Sequence, residues 1–161
     1  MWKLGNGLRK CLKMLSFVGK NRAMLSQELR IGNLVGFYKS KIHEIQYGKI
    51  YEIAIPENPQ ALEDIYHVTI PAFGSTPIQV AALQPIPLTI DWLLRLSFKE
   101  QYKGQQFTIP IRYVNLEIRL AADGEHACAI GSEAVVLIRY VHQLQNLFFA
   151  LTTQELQIKE A

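Results

Sequence analysis

Apolar residues recur at helical spacing near the end of the chain. Tyr140, Leu144, Leu147, Phe148 and Leu151 make one stripe, which predicts a helix over 139–152. Upstream the pattern changes to short runs in which apolar and polar residues alternate. Ile53 and Ile55 alternate with Glu52 and Ala54, and Val114, Leu116, Ile118 and Leu120 with Tyr113, Asn115, Glu117 and Arg119. Period-two runs predict strands over 50–55, 65–70, 107–111, 112–120 and 126–130, and 134–141 as a last strand or a run into the last helix; shorter apolar runs lie at 29–35, broken by Gly32-Asn33, and at 37–38, 42–45 and 78–83. Turns are expected at Tyr47-Gly48-Lys49, Lys103-Gly104-Gln105, Asp123-Gly124 and Gly131-Ser132. The tail 155–161 adds a brief strand through Leu156 and Ile158 in this reading.

A second, shorter helix is expected over 90–96. Pro85 and Pro87 keep the preceding residues extended, Thr89 is suited to the N-cap, and Asp91 complements the positive end of the dipole. Ile90, Leu93 and Leu94 are expected to face inward, with Trp92 as a further candidate. Two helices on a mainly antiparallel, strongly bent sheet define an α+β fold, with an SH3-like barrel as one form of the first half.

The predicted long helix has an unusual second face. His142, Gln145, Asn146, Phe149 and Thr153 lie opposite the stripe, and no Asp, Glu, Lys or Arg occurs from His142 to Gln154. A solvated face normally carries charge. Amides and an imidazole beside an aromatic therefore point to contact with another surface. His142, Gln145, Asn146 and Phe149 are the expected interaction surface for a protein partner. The alternative is that they hydrogen-bond loops of their own domain.

Composition refines this picture. The length suits one domain able to bury a core without disulfides, and two distant cysteines give no framework. The net charge of +3 is uneven: residues 1–23 hold six of the 17 basic residues and no acid, leaving 11 against 14 acids in 24–161, a net of −3. The acidic remainder argues against a broad nucleic-acid footprint. The basic segment 1–23 reads as an amphipathic surface helix, a weak export signal, or an upstream extension before Met24, and the abrupt shift at a methionine favours the last. The domain is thus expected over 24–161. No apolar run reaches the roughly 20 residues of a membrane span.

Candidate chemistry is sparse. Asp123, Glu125, His126 and Cys128 are the densest set of metal-ligand types, but Asp-Gly is also what the hairpin requires and no second cluster completes a site. No nucleophile elbow, phosphate loop or dinucleotide fingerprint is present. Neither a catalytic residue nor a cofactor is therefore expected. Phe37-Tyr38-Lys39 and Arg112-Tyr113 pair aromatics with cations, as a binder of single-stranded nucleic acid would.

Three stretches together carry a resemblance: Glu28-Leu29-Arg30-Ile31-Gly32-Asn33; Pro85-Ile86-Pro87-Leu88-Thr89 with Trp92-Leu93; and Val141-His142-Gln143-Leu144-Gln145-Asn146-Leu147 with Phe149-Ala150-Leu151-Thr152. They resemble a family of small uncharacterised proteins of Bacteroidota, their phages and mobile elements, over about residues 27–156. Tyr is common in that family where Phe148 stands, and Gly-Glu where Thr153-Gln154 stands, so the usual glycine helix stop is missing. The resemblance implies a cytoplasmic bacterial or phage setting and no activity. The expected function is a non-enzymatic interaction module. The alternatives are a single-stranded nucleic-acid-binding accessory protein and, behind it, a small metal-dependent hydrolase.

Overall fold

The computed structural model describes residues 28–39, 44–54, 67–74, 78–131 and 133–159. The expected extension before Met24 lies outside them. The fold is α+β. Among the described residues the strands run β1 (Leu34–Lys39), β2 (Glu44–Lys49), β3 (Glu52–Ala54), β4 (His67–Thr69), β5 (Ile78–Gln79), β6 (Leu83–Gln84), β7 (Lys99–Tyr102), β8 (Gln106–Ile111), β9 (Val114–Arg119), β10 (His126–Ile130) and β11 (Glu133–Ile138). Helix α1 (Ile90–Arg95) falls between β6 and β7, and α2 (Val141–Thr152) follows β11.

The second half forms a five-stranded antiparallel sheet in the order β11-β10-β9-β8-β7. Its registers put Phe107 opposite Ile118, Ile118 opposite Cys128, and Cys128 opposite Val136, so alternate residues line one face. That face meets α1 and α2 in a core containing Leu93, Leu96, Phe98, Phe107, Leu116, Ile118, Leu144 and Phe148. Leu144 and Phe148 are the buried part of the predicted stripe, and burying such side chains stabilises by about 1.5–3 kcal/mol each. The tail plugs this core with Leu156 but forms no strand; it is fixed by the Lys159 N–H donating to the Arg95 carbonyl at 2.8 Å.

The first half is not a barrel. Its strands form two open three-stranded sheets, β2-β1-β6 and β3-β4-β5, around a smaller core of Val35, Ile50, Val68, Ile70, Val80 and Leu83. Leu34 joins the larger core and Val35 the smaller, because successive strand side chains point opposite ways. β1 is therefore the seam between the two.

Tyr47-Gly48-Lys49 is not a turn but the end of β2, with Gly48 paired to Val35. The glycine serves close approach: a Cβ there would lie 2.3 Å from Ile70 Cγ2 and 3.1 Å from Phe73 Cζ. Gly48→Ala is expected to destabilise by about 1–3 kcal/mol through overpacking. A denaturation midpoint equal to that of the unmodified protein would show that Ile70 yields without cost.

Helix α1 starts as expected, with the Thr89 hydroxyl accepting from Trp92 N–H at 3.4 Å. It is rotated relative to the expectation. Leu93 and Leu96 are buried, whereas Ile90 and Leu94 are exposed. Trp92 sets this rotation by meeting Tyr47 edge-on, with ring centroids 5.3 Å apart. Helix α2 begins at Val141, where Gln143 Oε1 accepts from the Arg139 and Tyr140 N–H groups at 2.9 and 3.2 Å. It stops without the glycine: Thr153 itself adopts the left-handed conformation at φ 59°, and its N–H donates to the Phe149 carbonyl at 2.7 Å.

Candidate functional site

The four residues expected to meet a partner do meet one, but it is the chain's own segment 28–34. His142 and Gln145 are 0 % and 1 % exposed, and Asn146 and Phe149 are half-buried. Gln145 Oε1 accepts the Leu34 N–H at 2.8 Å, and its Nε2 reaches the Gly32 carbonyl at 3.4 Å. Asn146 Nδ2 donates to the Glu28 carbonyl at 2.8 Å. Its Oδ1 accepts from Asn33 Nδ2 at 2.8 Å and from Arg30 Nε at 3.3 Å. The Arg30 guanidinium lies 4.0 Å above the Phe149 ring and makes a two-pronged pair with Glu155 at 2.5 and 3.1 Å. The helix face lacks charge because it is buried, and its amides saturate backbone groups of an irregular segment. It is a clasp rather than an open docking surface. Thr153, on the same face, is exposed.

His142 is the exception within the clasp. Its ring stacks on Tyr140 at 5.7 Å and 10°, and among the described residues neither ring nitrogen has a hydrogen-bond partner. The Glu28 carboxylate lies 3.8 Å from Nε2, beyond hydrogen-bond reach. Burial holds the imidazole pKa below its ordinary value, against a smaller upward pull from Glu28.

The three stretches that carry the family resemblance converge here. Leu88 N–H donates to the Arg139 carbonyl at 2.8 Å and Val141 N–H to the Ile86 carbonyl at 2.9 Å, so 86–88 brace the start of α2 while 28–34 clasp its side.

The candidate metal ligands are each otherwise engaged. Asp123 Oδ1 accepts the Glu125 N–H at 3.0 Å, closing the Asp-Gly turn, and Glu125 pairs with Arg139 at 2.5 Å. His126 Nδ1 accepts from Ala121 N–H at 3.2 Å, so its Nε2 carries the proton donated to the Leu88 carbonyl at 2.9 Å. Cys128 is sealed in the larger core, where burial pushes its thiol up to about 11. His126 and Cys128 do share a strand face, but no group of three or more metal-ligand side chains gathers among the described residues.

Of the aromatic–cation pairs, Phe37 is half-buried against Phe73, with centroids 5.5 Å apart, while Tyr38 is exposed on the other face of β1. Arg112-Tyr113 departs most from expectation. These residues do not begin a strand. They are the two-residue turn of the β8–β9 hairpin, which pairs Ile111 with Val114. The alternation did contain the signal: apolar 107, 109 and 111 resume at 114, 116 and 118, a phase slip that two turn residues produce.

Arg112 occupies φ 50°, a conformation that favours Gly, Asn or Asp in such turns, and Tyr113 is 100 % exposed. Behind the tip lies a shallow cleft of about 260 Å³ lined by Ile111, Arg112, Tyr113, Val114, Ile130 and Leu151. Its lining is mostly apolar. It joins the end of the five-stranded sheet to the last turn of α2.

No protein-family model, no curated protein and no solved structure matches the chain. The class the coordinates define is an α+β domain with two cores and an apolar cleft under a strained hairpin tip. Among the described residues, no helix is long and apolar enough to cross a membrane.

Proposed function

We propose that this chain is a non-enzymatic protein-interaction module, and that its contact surface is the β8–β9 tip with the cleft behind it. One observation carries the reading. A turn whose first central position favours Gly or Asn is instead built from Arg112 and Tyr113, with Arg112 at φ 50° and the tyrosine in solvent. Arg and Tyr are the residue types that dominate interface energetics, and unfavourable backbone held in place often marks function. The cleft, at about 260 Å³, falls short of the roughly 300–1,000 Å³ that encloses a whole small molecule. It suits one anchoring side chain. The resemblance supports a setting in the cytoplasm of a Bacteroidota host, on a phage or mobile element.

The test is a double substitution, Arg112→Asn with Tyr113→Gly. It is expected to change stability by less than about 1 kcal/mol, because Asn eases the positive φ at 112 while Gly at 113 adds freedom to the unfolded chain, and to abolish capture of a partner from host cells. Equal capture by both forms would overturn the assignment of the surface. The same tip offers an aromatic ring beside a guanidinium, which favours single-stranded nucleic acid as the second reading. Titration of an oligothymidylate against salt separates the two: retention at low salt with steep loss on raising it supports the second reading.

A further inference from the structure

We infer that the cleft takes a short peptide segment in which one large apolar side chain is flanked by a carboxylate. This rests on the interaction reading above and names the partner's chemistry. Three observations converge. Ile111, Val114, Ile130 and Leu151 present an apolar lining of a size for one anchor side chain. Arg112 stands at the rim, exposed, and among the described residues it forms neither an ion pair nor a hydrogen bond. Arg30, Arg119 and Arg139, by contrast, are each paired with a glutamate, and Arg95, which has no ion pair either, lies over the Trp92 ring at 5.2 Å. Glu133, opposite Ile130, forms no ion pair with Arg112. A cation with no partner among the described residues, beside an apolar cleft, is complementary to an anchor that brings its own acid. Tyr113, beside it, adds a large contact surface with few rotamers to fix.

A random heptapeptide library panned on the full chain tests this. Enriched peptides are expected to share a large apolar residue next to Asp or Glu. Arg112→Asn, which suits the turn while removing the charge, is expected to weaken the consensus peptide about tenfold in fluorescence polarisation. Arg112→Glu is expected to enrich Lys or Arg beside the same anchor. Enriched peptides that lack acids, or that bind Arg112→Asn equally well, overturn the inference. If they still depend on Tyr113 and Leu151, the interaction surface itself stands. No enrichment over the Arg112→Asn, Tyr113→Gly double variant overturns both.

Discussion

Replacing Gln145 by leucine is expected to destabilise the protein by about 2–4 kcal/mol, although a leucine at that helical position improves the apolar pattern. The amide is 1 % exposed and satisfies the Leu34 N–H and the Gly32 carbonyl. Leucine leaves both buried groups without a side-chain partner, at about 1–3 kcal/mol for each group fully lost, and the 3.4 Å contact to Gly32 is the weaker of the two. The effect spreads beyond the helix, because Leu34 opens β1, the strand shared by the two cores. Urea denaturation measures it, with Gln154→Leu at an exposed position as the control expected within about 0.5 kcal/mol. A Gln145→Leu variant as stable as that control would show that the segment 28–34 does not depend on the clasp. By the same reasoning, glutamates at both 145 and 146 unfold the protein rather than simply altering its surface.

Acid is expected to weaken the same joint through His142, and His142→Phe to remove that sensitivity. The ring is fully buried and its folded-state pKa is depressed, chiefly by desolvation. As the pH falls below about 6.5 the unfolded chain takes up a proton that the folded chain refuses. Stability is therefore present at neutral pH and is lost as the pH drops from about 6.5 towards the lowered folded value, at up to about 1.4 kcal/mol per pH unit. Glu155, whose pKa is lowered by its hydrogen bond to Arg30, acts in a more acidic window. Its contribution is present above about 4.5 and is lost as the pH falls further. Phenylalanine retains the stack on Tyr140 and brings no orphaned nitrogen. His142→Phe is thus expected to match or exceed the unmodified protein at pH 7, and to show a flat profile between pH 7 and 5. A profile that still falls across that window would assign the acid sensitivity to another group.

Both predictions turn on side chains whose setting the sequence described only in half. His142, Gln145, Asn146 and Phe149 do form one uncharged face, but they meet the chain's own segment and not an open surface for a protein partner. What covers them is 28–34, more than a hundred residues away in the chain. No local pattern relates those positions, since the bonds run between an irregular backbone and two amides. The Arg112-Tyr113 tip was hidden for a different reason. Turn chemistry is recognised by Gly, Asn and Asp, and here the turn is made without them, so only the slip in alternation betrayed it.

The sequence by itself determined the elements that depend on neighbours in the chain. The 140–151 stripe, the Thr89 cap, the Asp123-Gly124 turn and the alternation of β8 to β10 are all set by short-range geometry and the burial of apolar faces. Tertiary structure alone decided that the first half stays open, that Gly48 marks a close approach, that the helix face is sealed, and that an arginine with no partner among the described residues stands beside an apolar cleft. Those outcomes follow from long-range packing and hydrogen-bond satisfaction, which depend on which segments meet and not on the order in which residues occur.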